Sequence, residues 1–186
     1  MKKYHVHLTS MTPYAQGRMH SSPKLERETH DAYEARTWRE RLHVAVDNVF
    51  IPAQAFKSCL TETAMYVKMQ IPGQGKATYT KNFKQGVMCP EPVMLDIAPT
   101  EVREFRLFTS SQPGKLGSGR VWKHFPVIDQ WEGMLALWVV DDIITKEVLA
   151  KHLEIGGLLT GVGVWRPRNG GSWGKFKVVS LEEVDV

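Results

Sequence analysis

Cysteine is nearly absent: Cys59 and Cys89 are the only two in 186 residues. Two cysteines set far apart make neither a disulfide framework nor a zinc site, and a reducing interior is the default expectation. Long apolar runs are also missing. No stretch approaches the roughly 18 residues of a membrane-spanning helix, so no membrane segment is expected. The start, Met1-Lys2-Lys3-Tyr4-His5-Val6-His7, is basic but lacks the apolar centre of a secretory signal. Walker A, GxSxG and HExxH signatures are absent, which removes the commonest sequence grounds for a nucleotide hydrolase, a serine hydrolase or a zinc protease. His7-Leu8-Thr9 has the H-x-T form used by two-histidine phosphoesterases, but it reads as one face of a strand. His5 and His7 share that face as metal ligands could. No third ligand follows by spacing, and no metal or cofactor is expected. Asp141-Asp142 read as helix-start acids that complement the macrodipole.

With 42% apolar and 24% charged residues the composition is that of a globular protein. A chain of this length buries roughly 70% of its unfolded surface, so it can fold without staples. The net charge of +4 hides a segregation. Between Gly73 and Lys123 stand Lys76, Lys81, Lys84, Arg103, Arg106, Lys115, Arg120 and Lys123, against Glu91, Asp96, Glu101 and Glu104. Between Gly161 and Lys177 stand Arg166, Arg168, Lys175 and Lys177 with no acid, while Glu182, Glu183 and Asp185 follow. Such placement favours a polyanionic partner.

Alternation predicts a strand over residues 4–11, with Tyr4, Val6 and Leu8 on one face. A helix is expected over 30–42, and a strand or tight strand pair over 44–51. The spacing of Phe56, Leu60, Ala64 and Val67 predicts a second helix over 53–68. Residues 76–92 interleave Lys with aromatics and read as a hairpin or arm. Strands are expected over 93–97, 102–109 and 121–128, the last an edge because of Pro126. The apolar run over 131–140 reads as a central strand. Thr145 is a good N-cap for a helix over 146–159, and 176–179 is a last strand. This order predicts an α+β, ferredoxin-like (RRM-like) antiparallel sheet with helices on one face, a single domain over 1–186, and an inserted basic region over 73–125.

Two glycine-rich basic segments, Gly114 to Arg120 and Gly161 to Gly174, could bring backbone N–H groups and cations to phosphates. Tyr79, Phe83, Trp122, Trp165 and Trp173 lie near cations, a pairing that suits unpaired bases.

Val49-Phe50-Ile51-Pro52-Ala53-Gln54-Ala55-Phe56-Lys57-Ser58-Cys59-Leu60 resembles a strand-to-helix element of the RAMP superfamily, the RNA-binding proteins of CRISPR systems. Gly156-Gly157, Gly161-Val162-Gly163 and Arg166 to Phe176 resemble that family's C-terminal glycine-rich loop. Ala53 and Ala55 depart from the Gly or Ser common there. A small viral or non-CRISPR relative remains open at this length. The resemblance implies that Lys57 touches a nucleic-acid backbone and that Gly161, Gly163, Arg166, Arg168 and Lys175 border a groove. It also implies that residues 73–92 stand where a thumb hairpin would. Together these readings nominate Arg18, Lys57, Lys76, Lys81, Phe83, Lys84, Lys115, Arg120, Gly161, Gly163, Arg166, Arg168, Trp173 and Lys175. The expected function is coating of single-stranded RNA or DNA without catalysis, as a homo-oligomer or beside related subunits, in a bacterial cytoplasm or of phage origin. Alternatives are a metal-independent endoribonuclease using His20, His30 or His43, and a viral inhibitor module.

Overall fold

The computed structural model describes residues 1–111, 117 and 119–184. Its centre is a four-stranded antiparallel sheet of β1 (Lys2–Ser10), β5 (Val87–Met88), β9 (Glu132–Val139) and β10 (Phe176–Val184), ordered β10-β1-β9-β5. With helix between β1 and β5 and again between β9 and β10, the order β10-β1-β9-β5 sets the last strand beside the first and gives the ferredoxin-like α+β plan that the sequence predicts. Alternation makes the faces unequal. Tyr4, Val6, Leu8, Leu135, Leu137 and Val139 are all but inaccessible to solvent and form the core side. The opposite face keeps His5 and Met134 exposed.

The core side is covered by α2 (Ala53–Val67) and α4 (Lys146–Ile155). Phe56, Leu60 and Ala64 recur at helical spacing on α2 and are buried, so burial of that stripe holds the helix in place. Lys68 ends it in the left-handed conformation. Thr145 caps α4 by accepting from the Val148 N–H at 3.3 Å, and Leu149 and Leu153 face inward. The chain then widens into a π turn over Gly156–Thr160, tied to α2 by a 2.7 Å contact between the Thr160 and Thr63 hydroxyls.

Two insertions decorate this frame. Between β1 and α2 lie β2 (Tyr14–Ala15), α1 (His30–Thr37), a 3-10 turn, and the tight pair β3 (Val44–Ala45) and β4 (Asn48–Ile51). Between β5 and β9 lie β6 (Val93–Met94), paired with β4, and the long strands β7 (Arg103–Ser110) and β8 (Arg120–Ile128).

Three expectations change. Residues 80–86 form a helix, α3 (Thr80–Gly86), and β5 joins the central sheet, so the long hairpin is β7–β8 rather than residues 73–92. Phe83, read as a stacking residue, is fully buried and drives α3 onto the core. Pro126 sits in the middle strand of β2-β8-β7, not at an edge. Its carbonyl accepts from the Gln16 N–H at 3.2 Å, so its missing donor faces the side of two-residue β2, not β7. Among the described residues no helix is long and apolar enough to cross a membrane.

Candidate nucleic-acid interface

The β7–β8 hairpin is held at its base from both sides. Pairing sets Arg106 opposite His124, Phe108 opposite Trp122 and Ser110 opposite Arg120. On one face, α1 supplies carboxylates. Buried His124 contacts Glu104 through Nδ1 and Asp31 through Nε2, the latter at 3.1 Å. Its N–H donates to Glu34 at 3.1 Å, and Arg41 binds both Glu34 oxygens at 2.8 and 2.9 Å. Arg106 donates to Asp31 at 3.3 Å. Hydrogen bonding from His124, then the nearby Arg106 charge, hold the Asp31 carboxyl below its usual range. On the other face, Phe105 packs edge-on against Trp165 and Trp173 with centroids 5.6 and 5.0 Å apart, and Phe125 packs on Trp165 at 4.5 Å. These are the partners of Trp173, which is therefore half-buried in an aromatic cluster.

The far half of the hairpin has no such cover. Phe108 and Trp122 are 47% and 41% exposed, with rings 5.2 Å apart. The Arg106 guanidinium lies 5.0 Å from the Trp122 ring centre. Exposed Arg120 follows on β8. Residues 105–123 contain Arg106, Lys115, Arg120 and Lys123 and no acid. An accessible aromatic pair flanked by cations can stack unpaired bases and neutralise their phosphates. Lys115 lies outside the described residues.

The glycine-rich loop has a different job from the expected phosphate cradle. Several of its N–H groups are already taken: Val162 donates to Gly174, Val164 to Ala15, Gly171 to Arg166 and Gly174 to Pro13, at 2.7–3.1 Å. Gly161 and Gly163 have φ of +67° and +82°. A Cβ on Gly161 would meet Pro167 at 2.7 Å, and one on Gly163 would enter the Tyr14 ring. Both glycines serve close packing rather than ligand approach. Arg166 donates to Glu62 at 3.0 Å and is largely covered. The Lys175 carbonyl accepts from Met11 at 2.8 Å, stitching the loop to the end of β1. Arg168, 3.7 Å from Glu62, is the more exposed of the loop's two arginines, with 61% of its side chain accessible.

Lys57 is also corrected. Its ammonium donates to the carbonyls of Phe83, Lys84 and Val87 at 2.7, 2.9 and 2.5 Å. Those three bonds use all its donors, and burial lowers its pKa from the usual lysine range. It pins α3 to α2 instead of facing a phosphate. Lys76, Lys81 and Lys84 are exposed on α3 and the loop before it, and Arg18 is exposed with its guanidinium 3.4 Å from the Leu42 carbonyl. Apart from Arg18, beyond β2, and Lys57, on α2, the nominated residues with described positions fall on three surfaces: the hairpin, α3 with its loop, and the glycine loop. Arg106 and Phe108 carry the hairpin surface and escaped nomination. Their signal was the cross-strand register, which places Phe108 beside Trp122 once β7 and β8 are paired.

The candidate nuclease histidines have structural neighbours. His20 lies 3.3 Å from Glu40, His30 lies 3.8 Å from Glu34, and the His43 ring packs 5.4 Å from that of Phe50. Among the described residues, no group of three or more His, Cys, Asp or Glu is placed to hold a metal ion.

No protein-family model matches the chain, and no curated protein sequence does. Solved structures do. A chain of the Type III-B Cmr-beta complex bound to cognate target RNA superposes with a TM-score of 0.53 at 11% identity, covering 99% of this chain and 61% of its own. Cmr6 from Pyrococcus furiosus superposes with a TM-score of 0.52 at 11% identity, covering 95% of this chain and 97% of its own. This chain therefore spans under two thirds of the first and nearly all of the second. At 11% identity the likeness to both is one of fold.

Proposed function

We propose, from a fold shared with RAMP-type CRISPR proteins, that this chain binds single-stranded RNA within a nucleoprotein complex. The observation that carries the reading is the Phe108–Trp122 pair with Arg106 against its ring, on a hairpin whose residues 105–123 include four cations and no acid. One of the structural neighbours was determined with target RNA bound, which supports RNA over DNA. Bases stack on the exposed ring pair while Arg106 and Arg120, on the same face of the hairpin, neutralise the backbone, with little reading of sequence. The base of the hairpin, clamped by α1 and the tryptophan cluster, keeps this surface in place. Neighbouring subunits, whether copies of this chain or related ones, extend the same contact along a strand.

The test is fluorescence anisotropy with a labelled 20-nucleotide RNA. Affinity falls with added salt, at about −0.7 log units per log unit of salt for each neutralised phosphate. Phe108→Ala and Trp122→Ala each weaken binding by about 1–3 kcal/mol, roughly 5- to 150-fold, without lowering the melting temperature. Absence of RNA binding by the wild-type chain at low salt refutes the reading.

A further inference from the structure

A second surface has the opposite chemistry. α2 buries Phe56, Leu60 and Ala64 and so turns its last residues outward: Met65 is 54% and Tyr66 71% exposed. The π turn beside it presents Leu159, 52% exposed. These side chains and Pro167 wall a hollow of about 590 Å³. A second hollow of about 420 Å³ shares Met65 and extends past Lys68 to Lys81, so the two adjoin across Met65 at the end of α2. Both volumes fall within the range of roughly 300–1,000 Å³ usual for sites that enclose a ligand.

The rim is basic. Lys68 and Lys81 are exposed there. Arg166 and Arg168 converge on Glu62 from 3.0 and 3.7 Å, so the one carboxylate of the groove is already neutralised. Four cations therefore face one acid. The walls argue against a nucleic acid as the occupant. Tyr66 is the groove's one aromatic wall, and Met65, Leu159 and Pro167 offer neither stacking area nor hydrogen-bond donors. Apolar walls with a cationic rim complement a segment whose apolar side chains are flanked by carboxylates.

We propose that this groove docks an acidic amphipathic helix of a partner protein, with its apolar side chains in the two hollows and its carboxylates on Lys68, Lys81 and Arg168. The groove lies apart from the hairpin, so the docking stands independently of RNA binding. The rim charges steer the partner and the apolar walls hold it.

The probe is a labelled 18-residue synthetic helix with Leu at i, i+3, i+4 and i+7 spacing and Glu elsewhere, titrated against the whole chain by anisotropy. Its twin carries Lys in place of every Glu. The acidic helix binds, with affinity reduced by added salt, and the basic twin does not. Leu159→Ser and Arg168→Glu each weaken binding by about tenfold, the scale of an interface anchor. Tyr66→Ser, at a residue even more exposed, gives the same loss if Leu159→Ser proves unstable. The inference is overturned if both helices bind alike, if neither binds, or if these variants leave binding unchanged. It is also overturned if Tyr66→Ser weakens RNA binding as much as Trp122→Ala, which assigns the groove to nucleic acid. A concentration-dependent sedimentation shift of the chain alone, abolished by Leu159→Ser, overturns it in favour of a second copy.

Discussion

Replacing Lys57 with methionine separates a pin from a phosphate contact. Methionine keeps the aliphatic stem and removes three donors from the carbonyls of Phe83, Lys84 and Val87. A hydrogen bond from a charged donor contributes about 1.5–3 kcal/mol, and several from one ammonium do not add in full. Two corrections reduce the sum. The ammonium is partly desolvated, which is why its pKa falls, and the bond to Lys84 is exposed, so water replaces it. A net loss of about 3 kcal/mol remains. For a chain of this size each kcal/mol moves the melting temperature by about 2–4 °C, so Lys57→Met melts about 6–12 °C lower. Far-UV circular dichroism measures that shift. RNA anisotropy at 20 °C, where the variant is folded, then shows affinity within about twofold of wild type. An unchanged melting temperature together with a tenfold or greater loss of RNA affinity would put the ammonium on a phosphate and refute the reasoning.

Two further outcomes follow from buried groups. The His152 ring lies 4.1 Å from that of Phe83, its Nδ1–H donates to the Val148 carbonyl at 2.7 Å, and burial lowers its pKa. The unfolded chain takes up this proton near pH 6.5 while the folded one resists it, so the contribution to stability is full above that pH and is lost as pH falls toward the folded value. His152→Phe therefore flattens the dependence of the urea midpoint on pH between 7 and 5. Gly163→Ala combines a left-handed backbone with overlap on Tyr14 and the Ala15 carbonyl. It costs about 2–5 kcal/mol, read as a fall in melting temperature.

The frame was readable because its signals are local. β1 alternates, α2 repeats Phe56, Leu60 and Ala64, and Thr145 caps α4, so periodicity and one hydroxyl located each element. α3 was not readable. Lys81, Phe83 and Lys84 continue a Lys–aromatic interleaving that reads as a hairpin or arm, and the helix forms because Phe83 is buried and a lysine more than twenty residues earlier fastens its end. The glycine loop shows the same gap at the site. Its composition matches a phosphate cradle, but donors cradle an anion only when they are free, and those of Val162, Val164, Gly171 and Gly174 bind Ala15, Pro13 and the loop itself. Arg106 and Phe108 were hidden for the converse reason. On β7 alone they are ordinary strand residues, and only pairing with β8 sets Phe108 against Trp122 and brings Arg106 to its ring.

β1 lies between β9 and β10, and that position dictates an order of events during synthesis. Residues 2–10 leave the ribosome well before their partners, residues 132–139 and 176–184. At about 5–20 residues per second, β1 waits roughly 6–33 s for its neighbours. Through that interval Tyr4, Val6 and Leu8 have no sheet to bury them, and the core side cannot close over α2. The β7–β8 hairpin pairs residues close in sequence and does not need β10, whereas α2 and α3 depend on the core face of the central sheet for burial of Phe56, Leu60 and Phe83. Closure of the central sheet is thus the least local pairing in the chain, the kind that loop-closure entropy makes slow.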